Sequence, residues 1–322
     1  MDVLDQQILQ CLILDGRAPM RRIAEAAGVS EQTAARRYRA MREAGALRVF
    51  VNESALGTGR ALWLLRMQCR PDTSSRLGAA LAARPDVAWV AAHSGGSELM
   101  CTTTLPADAA CGTGVLPRLS NSASLLSFSA YSVLHSYSGG PAEWSGFDQP
   151  LSSGPTSLPT GGQAPATVAD EDRPLLGALR IDGRASISQL ARELNWPTSR
   201  VATHLQALLD SGAVNVDVDV LLERFGFRAS ATLLLQVAPR HIRKVGEALA
   251  GRPWTSWVAA ITGPANIAAA VTCRDTDQLF RFVTDDVGRL PGIIHVEILP
   301  VLTRLKQADT RVIDGRLEWP AR

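Results

Sequence analysis

The sequence predicts an α+β protein made of two tandem copies of one plan, a winged helix-turn-helix domain followed by a βαββαβ ferredoxin-like domain. Three observations predict it. First, residues 15–50 recur at residues 182–217, shifted by 167 with no gap and with ten identities in 36 positions. Among them, Asp15-Gly16-Arg17-Ala18 returns as Asp182-Gly183-Arg184-Ala185. A period that long marks a duplicated domain rather than a solenoid unit. Second, each recurring segment has helical periodicity and is followed by strand and helix patterns in the order βαββαβ. Third, residues 138–169 are dominated by Ser, Gly, Pro and Thr, a composition that buries no core and reads as a flexible linker between the copies. The expected divisions are 1–56, 57–137, the linker 138–169, 170–225, 226–308 and a tail, 309–322.

The elements follow in order. Leu4, Ile8, Leu9 and Leu12 mark one face of a first helix that ends at Asp15-Gly16. A short second helix follows Pro19, with Ile23, Ala24 and Ala27 inward, and Gly28 turns the chain. Ser30 is placed to cap a third helix by accepting an early backbone N–H, and Gly45 stops it. Its inward positions are Ala34, Tyr38 and Met41, spaced four and three. Leu47–Val51 reads as the wing strand. Four strands then fall near 61–68, 87–93, 98–105 and 125–134, with helices near 73–83 and 108–119. In copy two the strands fall near 229–237, 256–262, 266–273 and 293–302, with helices near 240–250 and 276–287. This order implies a four-stranded sheet with both helices on one face. The bare face is expected to pack on the sheet of the sister copy or of another chain.

Composition excludes several classes. A chain of 322 residues with 46 % apolar content supports ordinary globular cores. No apolar run reaches spanning length, and the start, with Asp2 and Asp5, lacks a secretory pattern, so a cytoplasmic protein is expected. Cys11, Cys69, Cys101, Cys111 and Cys273 show no CxxC spacing or Cys/His cluster and read as reduced core thiols, with no metal site and no cofactor. His93 and His135 sit near strand ends and read as surface or hydrogen-bonded residues, so no catalytic residue is assigned.

The third helix carries the chemistry. In a helix-turn-helix this element enters the DNA major groove, its early residues reaching base edges. With Ala34, Tyr38 and Met41 inward, Gln32, Thr33, Arg36, Arg37 and Arg39 point away from the core. Arginine pairs with phosphate and bonds guanine bidentately, and Gln32 suits adenine. Ser30, Glu31 and Arg42 complete the expected DNA-facing set. Copy two is weaker. Gly28-Val29-Ser30 becomes Asn195-Trp196-Pro197, Arg36 becomes Thr203, Arg37 becomes His204 and Arg39 becomes Gln206. Lost arginines remove phosphate attraction, which dominates DNA affinity. Thr198, Ser199, Arg200 and His204 are what copy two offers to DNA.

These residues carry a resemblance. Leu4-Asp5, Asp15-Gly16-Arg17, Gly28-Val29-Ser30, Arg37 and Gly45-Ala46-Leu47 match the pattern of the Lrp/AsnC ("feast/famine") transcription regulators, and the chain resembles a tandem-duplicated member. The resemblance implies that the ferredoxin-like part is the family's effector-binding and oligomerising (RAM/AsnC-type) domain. It also implies double-stranded DNA and a small effector, an amino acid or related metabolite, as partners, with association into a homo-oligomer. The family's turn between the second and third strands lines its effector pocket. The matching residues are Gly95, Gly96, Ser97 and Glu98 in copy one and Gly263, Pro264, Ala265 and Asn266 in copy two. There Glu98 would pair with an amino group. Fused chains of this kind also resemble siroheme decarboxylases, the alternative reading. A DNA-independent amino-acid sensor is the third.

Overall fold

The computed structural model describes every residue except 54–59, 107–114, 116–118, 120–124, 140–143, 148–166, 309 and 320–322. Copy one runs α1 (Val3–Leu14), α2 (Met20–Ala27), α3 (Glu31–Glu43), β1 (Leu47–Glu53), β2 (Arg60–Cys69), α4 (Pro71–Ala82), β3 (Val87–His93), β4 (Glu98–Pro106) and β5 (Leu125–Gly139). Copy two runs α5 (Arg173–Ile181), α6 (Ile187–Leu194), α7 (Thr198–Asp210), β6 (Val214–Val220), β7 (Ala229–Val237), α8 (Ile242–Ala250), β8 (Thr255–Ile261), β9 (Ile267–Cys273), α9 (Thr276–Arg281) and β10 (Ile293–Arg304). A small meander of β11 (Lys306–Gln307), β12 (Thr310–Ile313) and β13 (Arg316–Leu317) follows. Of the helix expected over 108–119, only Val115 and Leu119 are described; both are buried, and the Leu119 N–H donates to the Val115 carbonyl at 3.1 Å, one helical turn.

The chain forms two compact units, each combining like parts of both copies. One holds the described residues of 1–60, 149–220 and 319, and the other those of 61–148 and 221–318.

In the first unit the helical trios pack on Ile8, Leu9, Leu12, Ile23, Tyr38 and Met41 in copy one and on Leu175, Leu179, Leu190, Val201 and Leu205 in copy two. Among the described residues each trio has one wing strand and no second strand to pair it. β1 therefore pairs antiparallel with β6, which satisfies an edge that would otherwise stay open. The register places Phe50 opposite Asp217, residues related by the repeat shift of 167, with Val49 opposite Val218 and Val51 opposite Val216 on either side. That pair marks a local two-fold axis. The same exchange governs the repeated Asp-Gly-Arg-Ala turns. Arg17 donates to the Gly183 and Ala185 carbonyls, the latter at 3.1 Å. Arg184 donates to those of Gly16 and Ala18 at 2.6 and 2.7 Å. Partial burial first, and then their mutual repulsion in the case of Arg17, pulls both guanidinium pKa values down, so two half-buried cations are held by carbonyl dipoles.

In the second unit eight strands close into one barrel, in the order β10-β3-β4-β2-β5-β8-β9-β7. Each copy supplies a four-stranded sheet, and the fourth strand of each pairs with the second strand of the other. Val133 lies opposite Ile261 and Val301 opposite His93, again an exchange of equivalents. The helix-bearing faces bury two separate cores, around Leu65, Met67 and Val90 in copy one and around Leu233, Val245 and Phe282 in copy two. The bare faces meet across Leu64, Met100, Leu234, Ala259, Ile261 and Leu299. Closure removes the free edges that face-to-face packing alone would leave.

The linker expectation is corrected at its ends. Ser138 and Gly139 extend β5. Trp144 and Phe147 are buried and stack edge-on with Phe227, ring centroids 4.8 Å apart from each other and Trp144 4.7 Å from Phe227. Val168 is buried before α5. Two aromatic anchors outweigh the surrounding Gly/Pro/Ser composition, since each ring buries a large apolar area. The rest of the expected linker lies outside the described residues.

Candidate nucleic-acid interface and effector turns

Gly28 ends α2 at φ +66° and Ser30 begins α3, its hydroxyl oxygen accepting the Thr33 N–H at 3.2 Å. Ala34, Tyr38 and Met41 are buried. Glu31, Gln32, Arg36 and Arg39 are exposed and Thr33 is half-exposed. Gln32, Arg36 and Arg39 are spaced four and three, so they form one stripe along the outer face. Arg39 donates to the Ala35 carbonyl at 3.3 Å, which lays its guanidinium along that face.

Two of the expected DNA-facing arginines are engaged elsewhere. Arg37 donates to Asp2 at 2.7 Å and Asp5 at 3.2 Å. Those carboxylates close the capping box of α1, each accepting the other residue's backbone N–H at 3.1 Å. Arg37 thus clamps α3 to the start of α1 rather than pointing outward. Arg42 pairs with Asp182 of copy two at 2.9 Å, and its guanidinium lies 4.4 Å from the centre of the Trp319 ring. The reason is the same for both: a side chain at the edge of the buried stripe reaches a neighbouring carboxylate before it reaches open solvent.

In copy two, α7 begins at Pro197 with no side-chain cap. Thr198, Ser199 and Arg200 are exposed, and Arg200 stacks on Trp196 at 4.1 Å. His204 is bonded through Nδ1 to Asp172, the counterpart of the Arg37–Asp5 pair, and is also withdrawn from the outer face. The positions equivalent to Gln32, Arg36 and Arg39 are Ser199, Thr203 and Gln206, all exposed and none charged.

The turns expected to hold an effector are built differently from expectation. Gly95 and Gly96 have φ of +71° and +90°, and a Cβ at Gly95 would meet nothing within 4 Å, so backbone is open there. Ser97 is exposed and donates to the Ser94 carbonyl at 2.9 Å. Glu98 is buried, and Arg66 neutralises it while also gripping Glu297 at 2.7 and 2.5 Å. An arginine already occupies the place expected for a ligand's amino group. The Glu297 partner first, and then Glu98 against the cost of burial, holds the Arg66 pKa far up, and Arg66 holds that of Glu297 down. In copy two, Gly263 takes φ +107° and a Cβ there would press the Tyr131 ring at 2.7 Å. Pro264 is exposed and Ala265 packs against the barrel interior. Asn266 spends its amide on Val237, accepting its N–H at 2.9 Å and donating to its carbonyl at 2.7 Å. Equivalent residues in the second unit differ by 168, so Arg66, Glu98 and Glu297 correspond to Leu234, Asn266 and Ser129.

His93 is buried and hydrogen-bonded to the Leu299 carbonyl at 3.1 Å; burial pushes its pKa down. Cys11, Cys69, Cys101 and Cys273 are free and buried, with Cys101 and Cys273 pushed up to about 12 by burial; Cys111 lies outside the described residues. Among the described residues no group of His, Cys, Asp and Glu could hold a metal, and no helix is long and apolar enough to cross a membrane.

Paired helix-turn-helix trios together with a duplicated ferredoxin-like barrel define a class, that of helix-turn-helix regulators carrying a ligand-binding domain. Residues 1–42 match the AsnC-type helix-turn-helix domain, residues 172–215 the winged helix-turn-helix DNA-binding domain, and residues 230–310 the Lrp/AsnC ligand binding domain. The chain is 31 % identical over 138 residues to an uncharacterized HTH-type transcriptional regulator of Pyrococcus abyssi, covering 42 % of this chain and 86 % of that one. A Pyrococcus horikoshii regulator is 30 % identical over the same length, with the same coverage. The chain belongs to the Lrp/AsnC family of transcriptional regulators, in a tandem-duplicated form. The fold of the siroheme decarboxylase NirDL, in its complex with an iron-uroporphyrin III analogue, matches 95 % of this chain and 93 % of its own with a TM-score of 0.60 at 14 % identity. That likeness concerns the fold.

Proposed function

We propose that this regulator binds double-stranded DNA through the outer face of α3, with Gln32, Thr33, Arg36 and Arg39 as its groove-facing residues and no catalytic step. The observation that carries this reading is the exposed Gln32–Arg36–Arg39 stripe on a capped third helix. Arg37 and Arg42 support the interface by fixing α3 to α1 and to copy two. A small effector, an amino acid or related metabolite, acts at the Gly95–Ser97 turn, where open backbone N–H groups can meet a carboxylate. Chains associate into a homo-oligomer: exposed Leu126 and Ile294, and Leu134 and Leu302, recur at equivalent places on β5 and β10, and matched apolar patches favour association.

The test is fluorescence anisotropy with a duplex carrying the upstream region of the protein's own gene, across a salt series. Arg36→Ala/Arg39→Ala is expected to weaken binding and to reduce the salt slope by about 1, one of the pair meeting phosphate and the other a base edge. An unchanged slope would sink the assignment of this face.

The siroheme-decarboxylase reading is favoured by one observation, the fold likeness to NirDL. Against it, Arg66 on the inner face of the barrel, suited to acidic tetrapyrrole side chains, is already shared by Glu98 and Glu297. A changed visible spectrum on adding siroheme would favour the enzyme.

A further inference from the structure

We infer that a single chain reads a non-palindromic DNA site in one fixed orientation, with copy one on a guanine-bearing half and copy two on a weakly specified half. The inference rests on the DNA-binding reading above and adds polarity to it.

Two sets of observations carry it. The first concerns framework. The β1–β6 ladder is centred on the equivalent pair Phe50 and Asp217, and Arg17 and Arg184 exchange identical carbonyl contacts. The two helix-turn-helix trios are therefore related by the local two-fold that a symmetric dimer would have, within one chain. Two-fold frameworks of this kind place paired third helices on half-sites about one helical turn apart. The second set concerns reading surface. On that symmetric frame the outer faces differ at every equivalent position, Gln32, Arg36 and Arg39 against Ser199, Thr203 and Gln206. At these three positions one face carries two exposed cations and the other none, while Arg200, the equivalent of Thr33, is laid against the Trp196 ring. Gln206 donates to Asp210 at 2.8 Å, which turns its amide back along the helix; the acid itself is common to both copies, as Glu43 and Asp210. The clamp positions differ in strength too, Arg37 on two carboxylates against His204 on one. Symmetric placement with unequal chemistry selects an unequal pair of half-sites.

The experiment is selection from a random-sequence duplex pool by the full chain, followed by binding to single-base variants of the selected duplex. The expected consensus has two halves about 10 bp apart, one strongly constrained at guanine and the other loosely, with no two-fold relation between them. Replacing a guanine in the strong half should weaken binding about tenfold or more. Arg36→Ala/Arg39→Ala should relax only the strong half. Thr203→Arg/Gln206→Arg, both at exposed positions, should move the consensus toward a palindrome by giving the second half the sequence of the first. A wild-type consensus palindromic about the centre of the pair overturns the polarity while leaving DNA binding intact. So does an arginine transplant that leaves the consensus unchanged. Failure of the wild-type chain to enrich any duplex overturns the DNA-binding reading and the polarity with it.

Discussion

Arg66 separates the two ends of the barrel. It bridges Glu98 and Glu297, while the equivalent Leu234, Asn266 and Ser129 carry no charge. Removing one partner of a buried pair leaves a stranded ion. Arg66→Leu should therefore cost about 3 kcal/mol in urea unfolding, and Arg66→Leu with Glu98→Asn, the copy-two residues, should recover most of it. Equal losses for the single and double variants would show that the charge on Glu98 is of no consequence. His93 gives a pH signature. Its folded pKa is pushed below the ordinary value by burial, so the unfolded chain binds the proton more readily. The shift costs nothing well above about pH 6.5, where both states are neutral, and lowers stability as pH falls toward the folded value. Melting temperature between pH 7 and 5 should fall more for the wild type than for His93→Asn. At this scale the sequence shows residue types but not their partners. Glu98 was visible as the acid after a glycine turn; that Arg66, 32 positions earlier, would neutralise it depends on β2 lying beside β4, which no local pattern encodes.

Helix α3 and its counterpart α7 show what a helix can and cannot reveal in advance. The inward triads, Ala34-Tyr38-Met41 and Val201-Leu205-Leu208, are legible because burial follows the 3.6-residue period. The Ser30 cap was equally legible, and Ser30→Ala should lower stability by about 1 kcal/mol, read by chemical denaturation. What α3 does with residues flanking the triad was not legible. Arg37 and Arg42 sit beside the buried stripe, and their partners Asp2, Asp5 and Asp182 come from other elements. The wing strand is a similar case. Its apolar run marks β1, but its partner is β6, the equivalent strand 167 positions away, which no local pattern names. The repeated Asp-Gly-Arg was visible as an identity and as a turn; its cross-copy hydrogen bonds emerge only once β1 and β6 are side by side. Arg17→Ala should destabilise by about 2 kcal/mol, since it leaves two carbonyls without their charged donor.

For the whole molecule, duplication and fold class were readable from the repeat and the alternating patterns, whereas the grouping of like with like was not. A chain read in order suggests successive domains; pairing equivalent surfaces produces two units that each draw on both copies. The two copies are joined by the barrel and by the β1–β6 ladder as well as by the chain between them. Cutting the chain within 149–166 at an introduced protease site should therefore leave both fragments in one particle on size-exclusion chromatography under native conditions. Fragments that separate would mean that the tether, rather than the strand pairing, holds the copies together. The Phe50–Asp217 pair has one more consequence. In an association of two identical chains, a residue on the axis must face its own copy. Here the axis carries an aromatic ring opposite a carboxyl, a combination closed to any homodimer. Pairing two first copies would set Phe50 against Phe50, and pairing two second copies would bring Asp217 against Asp217, an acid repelling an acid between adjacent strands. Fusion has thus let the seam carry two unlike sides, and the second half, with a carboxyl on the axis, is the one that pairs poorly with its own kind.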